Sequence, residues 1–333
     1  MACNSESSDV SDRYSRQTIL PEVGAAGQAR LHNASVLVVG AGGLGSAVLQ
    51  YLGAAGVGRL TIVDHDVVEE SNLHRQPLYR MSDVGLFKAQ AARNTLLDTN
   101  PGIRVEAVCE RLTPANATRW VAAADIVVDA ADNFAVTYCV SDECHQMNKA
   151  LISASVLGLS GYVGAFCGGA PSYRAVFPEM PRQAGSCAQS GVLGTAVGVM
   201  GTLQAHMVLG LLLDVQPSML GQLITVDFRT LRLGGFSFAA AQEPSGTAIP
   251  FIAADHLVDT DVVIDLRSLQ EAPTSPLPAA LRIEVGALES AGTKFPADLR
   301  IVLCCRTGVR AWRAARALQR QGHQNVALIA FGD

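Results

Sequence analysis

The chain has 333 residues, which at roughly 100 to 200 residues per domain predicts about two domains rather than a single core. Hydrophobic residues make up 49% and charged residues 17%, with 31 glycines and an aromatic share of 5%, a composition that excludes disorder and collagen. The 25 Lys and Arg against 30 Asp and Glu give a net charge of -5, which argues against nucleic acid or an anionic membrane as a partner chosen by bulk charge.

The polar residues Met1 to Asp12 show no basic stretch followed by an apolar one, so a flexible N-terminus over 1–12 and no secretory signal are expected. The cysteines at 3, 109, 139, 144, 167, 187, 304 and 305 form no C-x-x-C pair. Neither a disulfide framework nor a zinc ribbon is indicated, and the expectation is a cytoplasmic protein with free thiols.

Short β-rich runs then alternate with helical patterns: SVLVV ends at Val39, LTIVD at Asp64, RVEAV at Val108 and DIVVD at Asp129. That alternation predicts an α/β fold, a doubly wound, Rossmann-like, mostly parallel sheet. Directly after SVLVV comes Gly40-Ala41-Gly42-Gly43-Leu44-Gly45. Gly40, Gly42 and Gly45 satisfy G-x-G-x-x-G, where missing side chains let backbone N–H groups approach phosphate at a helix N-terminus. Asp64 ends the next strand, where an acid accepts hydrogen bonds from ribose. Loop and acid together predict a nucleotide site without naming the reaction.

Beyond Asp64 come His65-Asp66, Ser71-Asn72-Leu73-His74-Arg75-Gln76, Lys88 and Asp132-Asn133. Polar residues just past strand ends belong at the carboxyl edge of the sheet, where open α/β folds bind ligands. Arg75 and Lys88 supply positive charge for a triphosphate, and Asp132 offers oxygen to Mg2+. Any one of these charges alone reads equally well as a solvated loop residue.

Cys187 lies in Gly185-Ser186-Cys187-Ala188-Gln189-Ser190-Gly191, and reads either as an accessible nucleophilic thiol near a helix start or as a plain semi-buried cysteine. The stretch Gly191 to Val215 approaches the ~20 apolar residues of a membrane span. Thr195, Thr202, Gln204 and His206 interrupt it and no basic flank adjoins it, so a buried helix is expected, with His206 in the core or an interface. Between Ala239 and Pro250 the sequence AAAQEPSGTAIP loses its period, which predicts a linker between a domain over 13–238 and a smaller α/β unit over 251–333. In that unit VVIDL, IVLCC and VALIA bracket a helical segment from Val309 to Gln321. The run Cys305-Arg306-Thr307-Gly308-Val309-Arg310 bridges strand to helix, and six such residues can curl their N–H groups toward one sulfur and stabilise a thiolate or persulfide. Arg306 and Arg310 add positive charge, while Cys304 is expected to face the core.

The order and spacing of Arg13-Tyr14-Ser15-Arg16-Gln17, the loop at 40–45, Asp64-His65-Asp66, Ser71 through Gln76, Lys88 and Asp132-Asn133 resembles the ThiF/MoeB family, bacterial relatives of ubiquitin-activating enzymes, over residues 13 to about 235. The resemblance implies ATP-dependent adenylation of the C-terminal glycine of a small ubiquitin-like sulfur carrier ending in Gly-Gly. It implies that Gly43 approaches the phosphates and that Asp64, beside Asp66, binds ribose. It implies that Asn72, Arg75 and Lys88, with Ser71 and Asn133 nearby, hold the phosphate chain, and that Asp132 handles Mg2+. Arg16 looks like the arginine that family members reach into a neighbouring subunit's site, which implies a homodimer. Cys187 resembles a mobile-loop cysteine that links covalently to the carrier. Many members hold a structural zinc on two C-x-x-C pairs, but here the first pair's place reads Ser172-Tyr173-Arg174-Ala175 and no second pair follows between Asp227 and Ala241. No zinc is therefore expected, and packing is expected to hold that region.

Residues 251 to 333, with Asp265-Leu266-Arg267 and the loop from Cys305, resemble single-domain rhodaneses, although Ala330-Phe331-Gly332-Asp333 lacks the usual Gly-Gly and terminal Trp. Together the two resemblances imply adenylation followed by attack of a Cys305 persulfide, giving the carrier thiocarboxylate. A cysteine desulfurase or thiosulfate would donate the sulfur. Two alternatives stay open. A nicotinamide-dependent oxidoreductase would use the same loop and Asp64 but leaves Ser71 to Gln76 unexplained. A non-catalytic carrier-binding scaffold has the intact Arg75, Lys88, Asp132 and Cys305 against it.

Overall fold

The computed structural model describes residues 13–181, 191–245, 248–289, 295, 296 and 298–332. Two short helices, α1 (Ser15–Thr18) and α2 (Gly24–Asn33), lead into β1 (Ser35–Val39), α3 (Gly43–Ala55) and β2 (Arg59–Val63). Next come α4 (Lys88–Thr99), β3 (Arg104–Val108), α5 (Pro114–Ala122), β4 (Ile126–Asp129), α6 (Phe134–Gln146) and β5 (Ala150–Leu157). The first five strands pair in parallel in the order β3-β2-β1-β4-β5. Alternate residues of β1 serve opposite faces: Val36 and Val38 pack with α3 and α4, Leu37 and Val39 with α5 and α6. This is the doubly wound arrangement, and short strands buried on both faces produce it.

The sequence reading named no strand of this sheet after β4, yet the sheet continues through β5 and beyond. β6 (Ser160–Cys167), β7 (Gln222–Asp227) and β8 (Arg232–Ser237) extend it antiparallel to eight strands. Between β6 and β7 run α7 (Tyr173–Val176) and α8 (Gly194–Leu212). α8 is long and apolar enough to cross a membrane, but it packs along α3, where a Cβ on Gly201 would lie 2.5 Å from the Leu44 carbonyl oxygen. Of the two places expected for His206, core or interface, the core is excluded, since the residue is exposed on this helix.

A second sheet has the order β10-β9-β11-β12 and is parallel throughout. It contains β9 (Val262–Asp265), β10 (Leu281–Arg282), β11 (Ile301–Cys305) and β12 (Val326–Ala330), with α9 (Val285–Glu289) after β10 and α10 (Val309–Arg320) after β11. The segment between the units is anchored at both ends. Phe238, Ile249 and Phe251 are buried, and Phe251 bridges to Leu328 of β12.

Candidate active site

The strand order turns between β1 and β4, and at that switch point a cavity of about 420 Å³ opens beyond the strand ends. Gly40 carries φ +93°, and a Cβ there would lie 2.7 Å from the Ala130 carbonyl oxygen. Gly45 leaves room for the Gly40 carbonyl, and Gly43 for Val197 of α8, 2.5 Å from where a Cβ would stand. Gly42 alone of the four faces open space, its nearest neighbour being the Gln76 amide at 3.8 Å. Three glycines thus let strand, helix and neighbouring helix close up, and Gly42 leaves the cavity open at the helix N-terminus.

Asp64 stands at the end of β2 with both carboxylate oxygens engaged, one by the Ala41 N–H at 2.7 Å, the other by the Asp66 N–H at 2.8 Å. Burial raises its pKa against the pull of those N–H groups and of Lys88. Lys88, at the start of α4, is buried and donates to Asp66 at 2.9 Å. Asp66 is exposed; what desolvation it has opposes ionisation, but the Lys88 ammonium prevails and holds its carboxyl below the usual range. Asp64, Asp66, Asn72, Arg75, Lys88, Asp132 and Asn133 all line the cavity.

These residues are not equally disposed toward a ligand. Asn72 is buried and donates to Glu69 and Ser71, while Ser71 is exposed, bonded to Glu69 and outside the cavity lining. Arg75 reaches the Ser71 carbonyl at 3.2 Å and His74 at 2.8 Å. Asn133 caps α6, its side-chain oxygen accepting the Ala135 N–H at 2.9 Å, and it also lines the cavity. Asp132, exposed on the cavity wall, supplies a hard oxygen donor of the kind Mg2+ takes. Arg16 lies exposed on α1 and does not line its own chain's cavity. Its neighbours explain the placement: Tyr14 is buried against Gly56 with its hydroxyl bonded to Asn100, and Gln17 donates to the Ala55 carbonyl. Cys187 lies outside the described residues.

The sequence reading assigned no role to two residues of this wall. Gln76 is buried, its amide nitrogen donating to Asn72 and its amide oxygen without a hydrogen-bond partner, as its place in the 71–76 run hinted. Arg111, after β3, contacts His65 at 2.7 Å and meets Gly332 from the other end of the chain. Nothing local in its sequence foretold that.

At the position of the missing C-x-x-C pair the structure shows a polar clasp rather than packing alone. Ser172 donates to Glu243 through its hydroxyl at 2.6 Å and its N–H at 2.7 Å. Arg174, buried, makes a two-pronged pair with Asp142 at 2.6 and 2.8 Å and donates to the Ile249 carbonyl at 3.1 Å. Its guanidinium also stacks over Tyr138 and Trp312.

In the smaller unit Cys305 ends β11, fully buried, and accepts the N–H groups of Gly308 at 3.1 Å and Ala311 at 3.4 Å. Gly308 has φ +84°, the left-handed turn that aims both N–H groups at the sulfur. Arg310 is paired with Glu271, so part of its charge is spent there, while Arg306 is exposed. Cys304 points to the opposite face, where burial pushes its thiol up to about 12. Asp265 sits beneath, fully buried. Burial opposes its charge, yet hydrogen bonds from Arg267 and Ser275 hold its carboxyl below the usual range.

Residues 14–247 match the ThiF family and residues 252–332 the rhodanese-like domain. The chain belongs to the ThiF family. A probable adenylyltransferase/sulfurtransferase MoeZ of Mycobacterium tuberculosis is 34% identical over 356 aligned positions, covering 96% of this chain and 91% of that one. A sulfur carrier protein adenylyltransferase of Thermus thermophilus is 46% identical over 65% of this chain and 83% of its own length. Among solved structures, E. coli MccB with MccA-N7isoASN superposes with a TM-score of 0.60 at 23% identity, over 70% of this chain and 73% of that one, a likeness of fold. This ThiF-family chain is an adenylyltransferase joined to a sulfurtransferase unit.

Proposed function

We propose that the chain uses ATP to adenylate the C-terminal glycine of a small ubiquitin-like sulfur carrier protein ending in Gly-Gly, then installs sulfur from Cys305 to give the carrier thiocarboxylate. The observation that carries this reading is the convergence of Gly42, Asp64, Arg75, Lys88 and Asp132 on one cavity, with the Cys305 loop packed behind the same helix start that bears Asp132. Hydride transfer has no use for that set of cations.

The first step joins two anions, since a carboxylate oxygen attacks the α-phosphorus and pyrophosphate leaves, so the site needs positive charge and alignment more than a base. Lys88, already held by Asp66, and Arg75 take the phosphate oxygens, and the backbone at Gly42 closes on them. Asp64 accepts from the ribose. Asp132 would hold Mg2+, which neutralises charge on the leaving diphosphate. Arg16, exposed and outside its own cavity, supplies its charge to a second copy, which makes the working species a homodimer.

In the second step the terminal sulfur of a Cys305 persulfide, received from a cysteine desulfurase or thiosulfate, attacks the acyl carbon. The carbon–oxygen bond breaks and AMP departs, leaving an acyl disulfide on Cys305. A second thiol, for which the sequence offers Cys187, attacks the Cys305 sulfur and releases the thiocarboxylate. The resulting disulfide is returned to two thiols by a cellular dithiol reductant.

Pyrophosphate exchange with carrier proteins ending in Gly-Gly tests the first step, and absence of carrier-dependent exchange overturns it. For the second, Cys305→Ala keeps exchange at the wild-type rate and abolishes thiocarboxylate formation by mass spectrometry.

A further inference from the structure

The Cys305 sulfur is closed in from two directions. Within its loop it accepts two N–H groups, and outside the loop a Cβ on Gly308 would lie 2.7 Å from the Phe251 ring and 3.4 Å from Ala135 of α6. Cys305 has no exposed surface, and it belongs to the hydrophobic cluster that runs between the units. A persulfide adds a sulfur atom, and its transfer requires an acyl chain to reach that atom. In the docked arrangement the sulfur has no exposed surface for an acyl chain to meet.

Beside the shared hydrophobic cluster, a polar contact also holds the loop down. Glu179 of the larger unit accepts from Trp312 Nε1 at 3.1 Å with one oxygen and pairs with Arg316 through the other. Both partners lie on α10, the helix that begins in the sulfur loop. The Glu179 and Arg316 side chains are 54% and 46% exposed, so the pair is of the weak, surface kind that opens readily.

We propose that the contact between the two units is a gate on the sulfur, with Glu179 as its latch. While docked it seals Cys305 from solvent and oxidants. The loop lifts off Ala135, while Phe251 moves with the smaller unit, before Cys305 takes up sulfur or passes it on. The purpose of the gate rests on the sulfur-transfer reading above, whereas its observable does not.

The test is alkylation of the full-length protein with iodoacetamide, followed residue by residue by mass spectrometry. Cys109, which is exposed, serves as the internal reference, and buried Cys139 and Cys144 report global unfolding. Wild-type Cys305 is expected to react at least roughly tenfold more slowly than Cys109, because reaction waits on local opening. Glu179→Ala should speed Cys305 by roughly tenfold and Arg316→Ala by less, with Cys139 and Cys144 still unreactive. Modification of wild-type Cys305 as fast as Cys109 overturns the gate, as does a Cys305 rate unmoved in both variants, or one that rises only together with those of Cys139 and Cys144. A sealed Cys305 in a protein without carrier-dependent exchange would leave the gate standing and remove the function. An open Cys305 with exchange intact would do the reverse.

Discussion

Asp129 ends β4 without exposed surface and accepts from the Ser153 hydroxyl at 2.7 Å. Burial pushes its carboxyl up to about 6, with the hydrogen bonds from Ser153 and Thr137 working against that rise. An unfolded Asp titrates near 4, so the folded protein holds this proton more tightly. The stabilisation is complete below about pH 4 and is lost as pH rises through about 6. Asp129→Asn, neutral throughout, should therefore be more stable than wild type above pH 7, by up to roughly 3 kcal/mol, with the gap closing toward pH 4. Melting temperatures of the two proteins from pH 4 to 8 check this, and parallel curves would refute it.

The Ser172–Glu243 clasp ties the entry to α7 to the chain leaving β8, two segments that no sheet hydrogen bond joins. Ser172→Ala should cost about 1 kcal/mol, a hydrogen bond to a charged group discounted for the partial exposure of Glu243, read as a lowered urea midpoint. Treatment with a chelator should leave that midpoint where it was. The clasp also shows why part of the molecule was illegible from sequence. β1, β2 and β4 could be read because each is a short, mostly apolar run with a helix behind it, β3 because polar and apolar residues alternate along it, and Asp64 and Asp132 because they follow such runs. β6 mixes glycine and serine among its apolar residues, and β8 is exposed along its whole length. Neither shows the alternation that betrays a half-buried strand. Glu243 and Arg111 escaped for a different reason, since each acquires its meaning from a partner distant in the chain. Asn133 carries two readings at once: placed before Phe134 its oxygen caps the helix, and the residue still lines the cavity.

Across the whole molecule one hydrophobic cluster extends from Leu37 in β1 through Tyr138 and Phe166 to Trp312 and Leu328 in the smaller unit. Units that share a core in this way lose packing on both sides when either unfolds. Thermal unfolding is therefore expected as a single transition whose calorimetric and van't Hoff enthalpies agree. Two resolved endotherms would contradict it.

The same helix, α6, follows the Asp132-Asn133 corner of the nucleotide cavity, touches the sulfur loop at Ala135, stacks Tyr138 on Trp312 and pairs Asp142 with Arg174. Recombination that exchanged the smaller unit for another sulfur-carrying module would leave α6 and Glu179 facing a foreign surface. Such a chimera would need counterparts of Trp312 and Arg316 before it worked in tandem, so the two halves are fitted to travel together as one heritable block.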